Sequence, residues 1–212
     1  MAQDLDTIKT NALDVFGYNS SDPLLDGTTL TRLINSSLQQ LSTEFDWPWL
    51  YAETTHSVVA GTTDYAVPTR WTRTKWLAIE EDELVFRSLR DFRRIVGDTT
   101  HPQGQPTFYT IVGDTSVRVG RIPDASYTLD HGYFTSEAVL SSGTDTPALP
   151  NEYDDMLVMY VALKMAVRKG EQVDINIARS EITRWLKRVR DNVRRSSAFP
   201  RIKIRNDWSS RI

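Results

Sequence analysis

The 212-residue chain contains no cysteine. This absence excludes disulfide bonds, thiolate metal ligands and a cysteine nucleophile, and it fits assembly in a reducing cytosol. The three histidines do not have the spacing of a metal-binding pair. Glycine-rich phosphate loops and the Gly-x-Ser-x-Gly nucleophile motif are also missing. The sequence therefore predicts no catalytic, cofactor-binding or metal-binding residue, and we do not expect an enzyme.

The sequence also lacks a long hydrophobic run. The longest apolar-rich stretch, residues 156–167, is shorter than a bilayer span and contains Lys164. The first ten residues do not have the basic-then-apolar order of a signal peptide. We therefore expect a soluble protein that is neither secreted nor bound to a membrane.

Charge is distributed unevenly along the chain, although the formal net charge is only −3. Residues 180–212 contain ten basic and three acidic residues, a balance of +7, whereas residues 1–179 contain fifteen basic and twenty-five acidic ones, a balance of −10. A basic chain end of this kind is typical of a segment that binds an acidic partner, either nucleic acid or protein. The alternative is a solvated helix face followed by a disordered tail.

Apolar residues in four segments recur with the spacing of amphipathic helices. These segments are residues 5–16, 30–45, 151–169 and 175–193. Thr28 or Thr29 is the predicted cap of the second helix, Asn151 is that of the third, and Gly170 is the predicted stop of the third. The third helix is apolar around nearly its whole circumference, which predicts burial on several sides, in a bundle core or at a subunit contact.

The region between the helical pairs has the pattern of β-structure. The strongest hairpin signal joins residues 107–112 to residues 116–121 through Gly113 and Asp114. A second hairpin is predicted around the acidic turn at residues 80–83, and a short helix capped by Ser88 is possible near residues 88–97. His131 lies on an alternating strand face and is interpreted as a packed or cross-strand residue.

The order of these segments predicts an α+β fold. We expect a four-helix bundle formed by residues 1–50 and 150–197, with a small antiparallel β domain inserted at residues 51–149 and an extended tail at residues 198–212. The tail alternates apolar and basic side chains, which is the period of an extended strand.

Several short motifs follow one another along the chain. They are Phe45-Asp46-Trp47-Pro48-Trp49-Leu50, Gly61 with Tyr65, Val67 and Pro68, Pro106 with Phe108-Tyr109, Arg121-Ile122-Pro123, Tyr127, Gly132-Tyr133, and Leu149-Pro150 with Tyr153. In this order they resemble the head–tail adaptor, or connector, proteins of tailed bacteriophages, including the tail tubular protein A type. The likeness extends from about residue 30 to residue 170. It departs from the family pattern at Arg121-Ile122-Pro123-Asp124, where that pattern has two prolines around an apolar residue.

The resemblance implies a non-enzymatic ring, commonly dodecameric, that lies under the portal protein in the neck of the virion. Such a ring continues the DNA channel, passes the genome without sequence-specific binding, and carries a downstream tail or neck protein. The host cytoplasm is the expected place of assembly. The expected subunit-interface residues are Met156, Met159, Tyr160, Val161 and Leu163. The expected portal-binding residues, all in the tail, are Phe199, Arg201, Ile202, Lys203, Ile204, Arg205, Trp208 and Ile212.

Two other functions stay open on the sequence alone. The basic last helix and tail are also compatible with a nucleic-acid-binding module, although few stacking aromatics lie among the basic residues. The six tryptophans suggest carbohydrate binding, but Trp47-Pro48-Trp49 is better interpreted as the hydrophobic joint between the second helix and the β region.

Overall fold

The computed structural model describes residues 3–96 and 103–197, with the backbone alone for residues 193–197. Within these residues there are five α-helices and eight β-strands. The helices are α1 (Leu5–Asp14), α2 (Gly27–Glu44), α3 (Leu89–Val96), α4 (Asp154–Lys169) and α5 (Gln172–Ser197). The strands are β1 (Tyr51–Val58), β2 (Asp64–Ala66), β3 (Trp71–Ile79), β4 (Asp82–Glu83), β5 (Val85–Phe86), β6 (Phe108–Val112), β7 (Ser116–Gly120) and β8 (Tyr127–Thr135).

The chain divides into two compact units. The strand-rich unit contains the chain up to Asp6 together with Asn35–Asn151, and the helical unit contains Thr7–Ile34 together with the chain from Glu152 onward. Both α1 and α2 therefore contribute residues to each unit. The roles predicted for residues 1–50, 51–149, 150–197 and 198–212 stay predictions.

The strand-rich unit is built on two four-stranded sheets. The first sheet has the order β1-β8-β3-β4 and is antiparallel, whereas the second has the order β2-β7-β6-β5 and contains one parallel pair, β5 with β6. Aliphatic and aromatic side chains from the facing sides of both sheets form a single core, since alternate residues of a strand point to the same side. The core residues are Val58, Leu77, Ile79, Leu84, Tyr109, Val117, Val119 and Leu129.

The hairpin of β6 and β7 confirms the strongest β prediction, with Val112 opposite Ser116 across the turn. The short helix is also confirmed as α3, whose Asp91 amide donates to Ser88 Oγ at 3.2 Å. In the acidic hairpin, β3 pairs with β4 across a turn at Glu80 and Glu81. These elements share strong local signals, which is why the sequence predicted them.

The prediction of a four-helix bundle with a small inserted antiparallel β domain is wrong. The structure has five helices and two four-stranded sheets, one of them mixed. One reason is that the second half of α2 is tied to the strand-rich unit, where the Asn35 side chain exchanges hydrogen bonds of 2.8 Å with the backbone of Leu140. The other reason is that β2, β4 and β5 are two or three residues long and too short to show an alternating pattern.

Two predicted helix caps are also corrected. Asp26, rather than Thr28 or Thr29, caps α2, because its carboxylate accepts the Thr29 amide at 2.7 Å. Asn151 begins a short 3-10 turn, and the residue that precedes α4 is Tyr153, which has no side-chain cap. The predicted stop at Gly170 is confirmed, since this residue is left-handed with φ of 79° and its amide bonds to the last turn of α4.

Candidate assembly surfaces

The helix α4 of the helical unit is buried on most of its circumference. It begins with Asp154 and Asp155, whose charges are favourable at a helix N-terminus, and it ends with Arg168 and Lys169. The residues between them are almost all apolar, so the helix can be covered from several sides at little cost in desolvation. Its buried apolar residues are Met156, Leu157, Val158, Tyr160, Val161, Ala162, Met165 and Ala166.

The predicted subunit-interface residues fall into two groups in the structure. Met156, Tyr160 and Val161 are buried by the chain's own packing. Met159 and Leu163 are partly exposed, and Val167, which the prediction left out, is 54% exposed. Met159, Leu163 and Val167 are spaced i, i+4 and i+8, which places them along one side of the helix. We call these three residues the α4 stripe, and its spacing was visible in the sequence.

The helix α5 presents an apolar side and a basic side. Ile175, Ala178, Ile182 and Val189 are buried, which confirms most of the stripe predicted for this helix. On the basic side, Arg184, Lys187 and Arg188 lie three and four residues apart and are exposed. Arg184 bonds Glu181 at 2.7 Å, and the Arg188 guanidinium lies 4.8 Å from the Trp185 ring centre. We call Arg184, Lys187 and Arg188 the α5 basic face.

A polar cluster joins the loop between α1 and α2 to the turn between α4 and α5, all inside the helical unit. The Tyr18 hydroxyl donates to the Asp174 carboxylate at 2.6 Å, and the Lys169 ammonium lies 2.9 Å from the Asp22 carboxylate. The same ammonium lies 4.6 Å from the Tyr18 ring centre. Burial raises the pKa of Tyr18, and the hydrogen bond to Asp174 raises it further. We call these four residues the loop clamp.

The loop clamp could not be found from the sequence, because Tyr18 and Asp174 are 156 positions apart. It holds the start of α5 against the loop that precedes α2. The hydrogen bond from Lys169 is the main cause of the lowered pKa of Asp22. The clamp therefore fixes the geometry of the turn that separates the α4 stripe from the α5 basic face.

The strand-rich unit contains an open groove of about 420 Å³ between the two sheets. Three of its eight lining residues are aromatic, and one of them, Phe86, packs edge-on against Tyr109 with ring centres 5.5 Å apart. Its residues are Trp71, Thr72, Arg73, Thr74, Lys75, Phe86, Tyr109 and Ile111. Its lining contains no aspartate, glutamate or histidine side chain.

Of the two histidines that the structure describes, His56 and His131, the second has the larger pKa shift. It is buried on β8, as predicted, and its Nε2 lies 2.9 Å from the Thr74 hydroxyl. Burial, reinforced by the nearby His56, lowers the pKa of His131 to about 4. The residue is therefore neutral near pH 7 and acts as a packed polar group of the core.

Within residues 3–96 and 103–197, no three histidine, cysteine or carboxylate side chains converge in a way that would hold a metal ion. Among the same residues, no helix has both the length and the apolar character needed to cross a membrane. The predicted portal-binding residues, Phe199, Arg201, Ile202, Lys203, Ile204, Arg205, Trp208 and Ile212, lie outside the described residues.

A comparison with known protein families places the chain in a class of phage adaptor proteins. The family described as SU10 adaptor protein matches residues 3–204, nearly the whole chain. The chain belongs to this family, and the resemblance to phage head–tail adaptors is confirmed. It is thus a structural adaptor of the phage virion that interacts with other head or tail proteins. No curated protein matches the chain.

Proposed function

We propose that this adaptor forms a ring of twelve copies that attaches under the portal protein, continues the DNA channel and supports assembly of the tail. The observation that carries the proposal is the family match over residues 3–204. The ring would be held in part by the α4 stripe, because Met159, Leu163 and Val167 are the apolar residues of α4 that a second subunit can reach.

Attachment to the portal is assigned to residues 199–212. Ile202, Ile204 and Trp208 are proposed as apolar anchors, with Arg201, Lys203 and Arg205 pairing with acidic portal residues, and Phe199 and Ile212 at the two ends. Extended peptides of this pattern bind either by strand addition or in a groove. Burial of two isoleucines and a tryptophan contributes roughly 5 kcal/mol per subunit before the cost of ordering the segment. Each tail alone is then a weak ligand, and repetition around a ring makes attachment strong.

Deletion of the chain after Ser197 tests this role of the tail. We expect the truncated protein to keep the circular dichroism spectrum and unfolding midpoint of the full chain, and to lose attachment to the portal protein in co-sedimentation. A full chain with Arg201, Lys203 and Arg205 replaced by Glu is the matched variant, because it keeps the apolar anchors and should attach more weakly and with altered salt dependence. Normal attachment by the truncated chain would refute the tail as the docking segment.

The DNA channel is proposed to pass the genome without holding it. Residues 1–179 carry a balance of −10, and carboxylates facing a channel repel phosphate groups. A ring with a continuous lysine and arginine surface along its bore would contradict this part of the proposal.

Nucleic-acid binding is the second candidate, and the α5 basic face is the observation that favours it. Arg184, Lys187 and Arg188 are exposed, and Arg188 stacks on Trp185. Binding through such a surface would weaken steeply as salt rises. A duplex DNA titration at several salt concentrations separates the candidates: steep salt dependence by a monomeric chain supports nucleic-acid binding, and weak affinity by a ring supports the adaptor.

A further inference from the structure

The segment that runs from β5 into α3 forms an exposed basic surface on the strand-rich unit. Val85 lies opposite Phe108 in the sheet, and the Phe108 ring packs against Phe92 of α3 with ring centres 5.3 Å apart. Val85 therefore lies on the side of the sheet that α3 covers. Arg87 is two residues further along the extended chain and lies on the same side, because side chains alternate.

Three more arginines lie on α3 with spacings of three and four residues, which places Arg90, Arg93 and Arg94 side by side. All are exposed, and the side chain of Arg94 is 82% exposed although it lies 3.7 Å from Asp91. Val85 and Ile95 are about half exposed within the same segment, and so is Phe86, whose ring packs edge-on against Tyr109. We define the arginine face as Val85, Arg87, Arg90, Arg93, Arg94 and Ile95. Arginine with apolar neighbours is the composition of a protein-binding surface.

Negatively charged side chains lie together at one end of the first sheet. The pairing of Val58 with Tyr127, and of Ile79 with Leu129, brings the end of β1, the start of β8 and the turn after β3 to the same edge. Tyr127 donates to Asp124 at 2.6 Å, so that carboxylate lies there as well. The exposed residues that follow from this topology are Val59, Glu80, Glu81, Asp82 and Asp124, which we define as the acidic end.

The arginine face and the acidic end do not neutralise each other inside one chain. In the part of the chain that the structure describes, no ion pair joins the two surfaces. Each surface also carries exposed aliphatic side chains, namely Val59 at the acidic end and Val85 and Ile95 on the arginine face, each at least half exposed. Two surfaces of opposite charge, each with exposed apolar side chains, are thus available on every copy of the chain.

We propose that the arginine face of one copy binds the acidic end of the next copy. A contact between two different surfaces of identical subunits is heterologous, and when its rotation closes it generates a ring. The inference rests on the proposed ring and names one contact in it, in addition to the α4 stripe. Charge complementarity favours a second copy over the chain's own C-terminal tail, because Arg201, Lys203 and Arg205 would be repelled by the arginine face.

The test uses charge reversal on the full chain. Variant A carries Arg90→Glu and Arg93→Glu, and variant B carries Glu81→Lys and Asp82→Lys. All four side chains are exposed, so the folded structure should be kept, which circular dichroism and the unfolding midpoint check. The combined variant exchanges the two charges and has the net charge of the wild type, which makes it the matched control. The readout is the fraction of chains in rings, measured by native mass spectrometry at low ionic strength.

We expect variants A and B each to lower the ring fraction about tenfold or more, because like charges then face each other. Two samples should recover the ring fraction, namely the combined variant alone and an equal mixture of variants A and B. Each restores opposite charges at the contact. If variant A or variant B forms rings normally, or if the combined variant does not recover the ring fraction, this contact is wrong. The proposed ring itself is not refuted by either outcome. A wild-type chain that stays monomeric both alone and with the portal protein overturns both the contact and the ring. If variant A loses duplex DNA binding but forms rings normally, the arginine face binds nucleic acid and the proposed contact is wrong.

Discussion

Replacement of Gly132 by alanine tests the packing of the first sheet most sharply. Gly132 lies on the central strand β8, opposite Glu53 of β1 and Trp76 of β3. A Cβ atom placed on Gly132 would lie 2.5 Å from Cε2 of Trp76 and 2.7 Å from the Tyr51 hydroxyl oxygen. That space holds a cross-strand chain of hydrogen bonds, from Trp76 Nε1 to Tyr51 at 2.9 Å and from Tyr51 to Glu53 at 2.5 Å. Even one methyl group therefore forces the indole ring to move.

The expected cost follows from three contributions. Overpacking costs about 1–3 kcal/mol, and loss of the hydrogen bond between Trp76 and Tyr51 costs about 1 kcal/mol. Alanine regains about 0.5–1 kcal/mol, because glycine loses more backbone freedom on folding. The net loss is about 2 kcal/mol in the free energy of unfolding, or about 4–8 °C in Tm for a chain of this size.

Urea unfolding followed by circular dichroism measures this loss. Gly27→Ala is the matched control, because a Cβ at Gly27 would meet no atom within 4 Å, and it should change stability by less than about 0.5 kcal/mol. In a Trp76→Leu background the cost of Gly132→Ala should be smaller, since the clashing indole ring is gone and only the close contact with the Tyr51 hydroxyl remains. An unchanged cost in that background would refute the assigned clash, and so would a Gly132→Ala variant as stable as the wild type.

Three further predictions concern the two units. The pKa of His131 is about 4 in the folded chain and 6.5 ordinarily, so the unfolded chain binds this proton at a higher pH than the folded chain does. The free energy of unfolding should therefore fall as the pH drops from about 6.5 to 4. In His131→Gln this part of the pH dependence of urea unfolding should disappear, and an unchanged profile would contradict the prediction. Tyr18→Phe should cost about 1–2 kcal/mol through loss of the bond to Asp174, and in an Asp174→Asn background it should cost measurably less, whereas equal costs would exclude coupling. Asp26→Ala should cost about 1 kcal/mol in thermal unfolding through loss of the α2 cap, and a variant as stable as the wild type would show that the cap contributes nothing.

Local signals predicted much of the secondary structure. The apolar periodicity of α2, α4 and α5 and the turn at Gly113 and Asp114 each determine an element within a few residues, so sequence reasoning found them. The stop at Gly170 was predictable for the same reason, since a left-handed residue after a run of helix formers favours glycine.

The arrangement of those elements depends on contacts between distant residues, and the sequence does not show them. The parallel pairing of Val85 with Phe108 crosses more than twenty positions, and β5 alone is too short to carry a pattern. The bond from Tyr18 to Asp174 spans most of the chain. The acidic end likewise exists only because the sheet brings Asp124 to the edge that holds Glu80.

Some features of the candidate surfaces were predictable from the sequence, and others depend on packing between distant residues. The apolar α4 and the basic α5 were predictable, because each has its character within one helix. The prediction could not separate Met159, which is partly exposed, from Val161, which the chain buries. That distinction depends on which side of α4 its own chain covers.

We propose that this adaptor assembles into a ring and attaches to the portal protein. Native mass spectrometry of the full chain, alone and with the portal protein encoded by the same phage, measures both properties at once. We expect a closed ring of identical subunits, free or formed on the portal, whose mass adds to that of the portal as one complex. A chain that remains monomeric in both samples, with the portal mass unchanged, would contradict it.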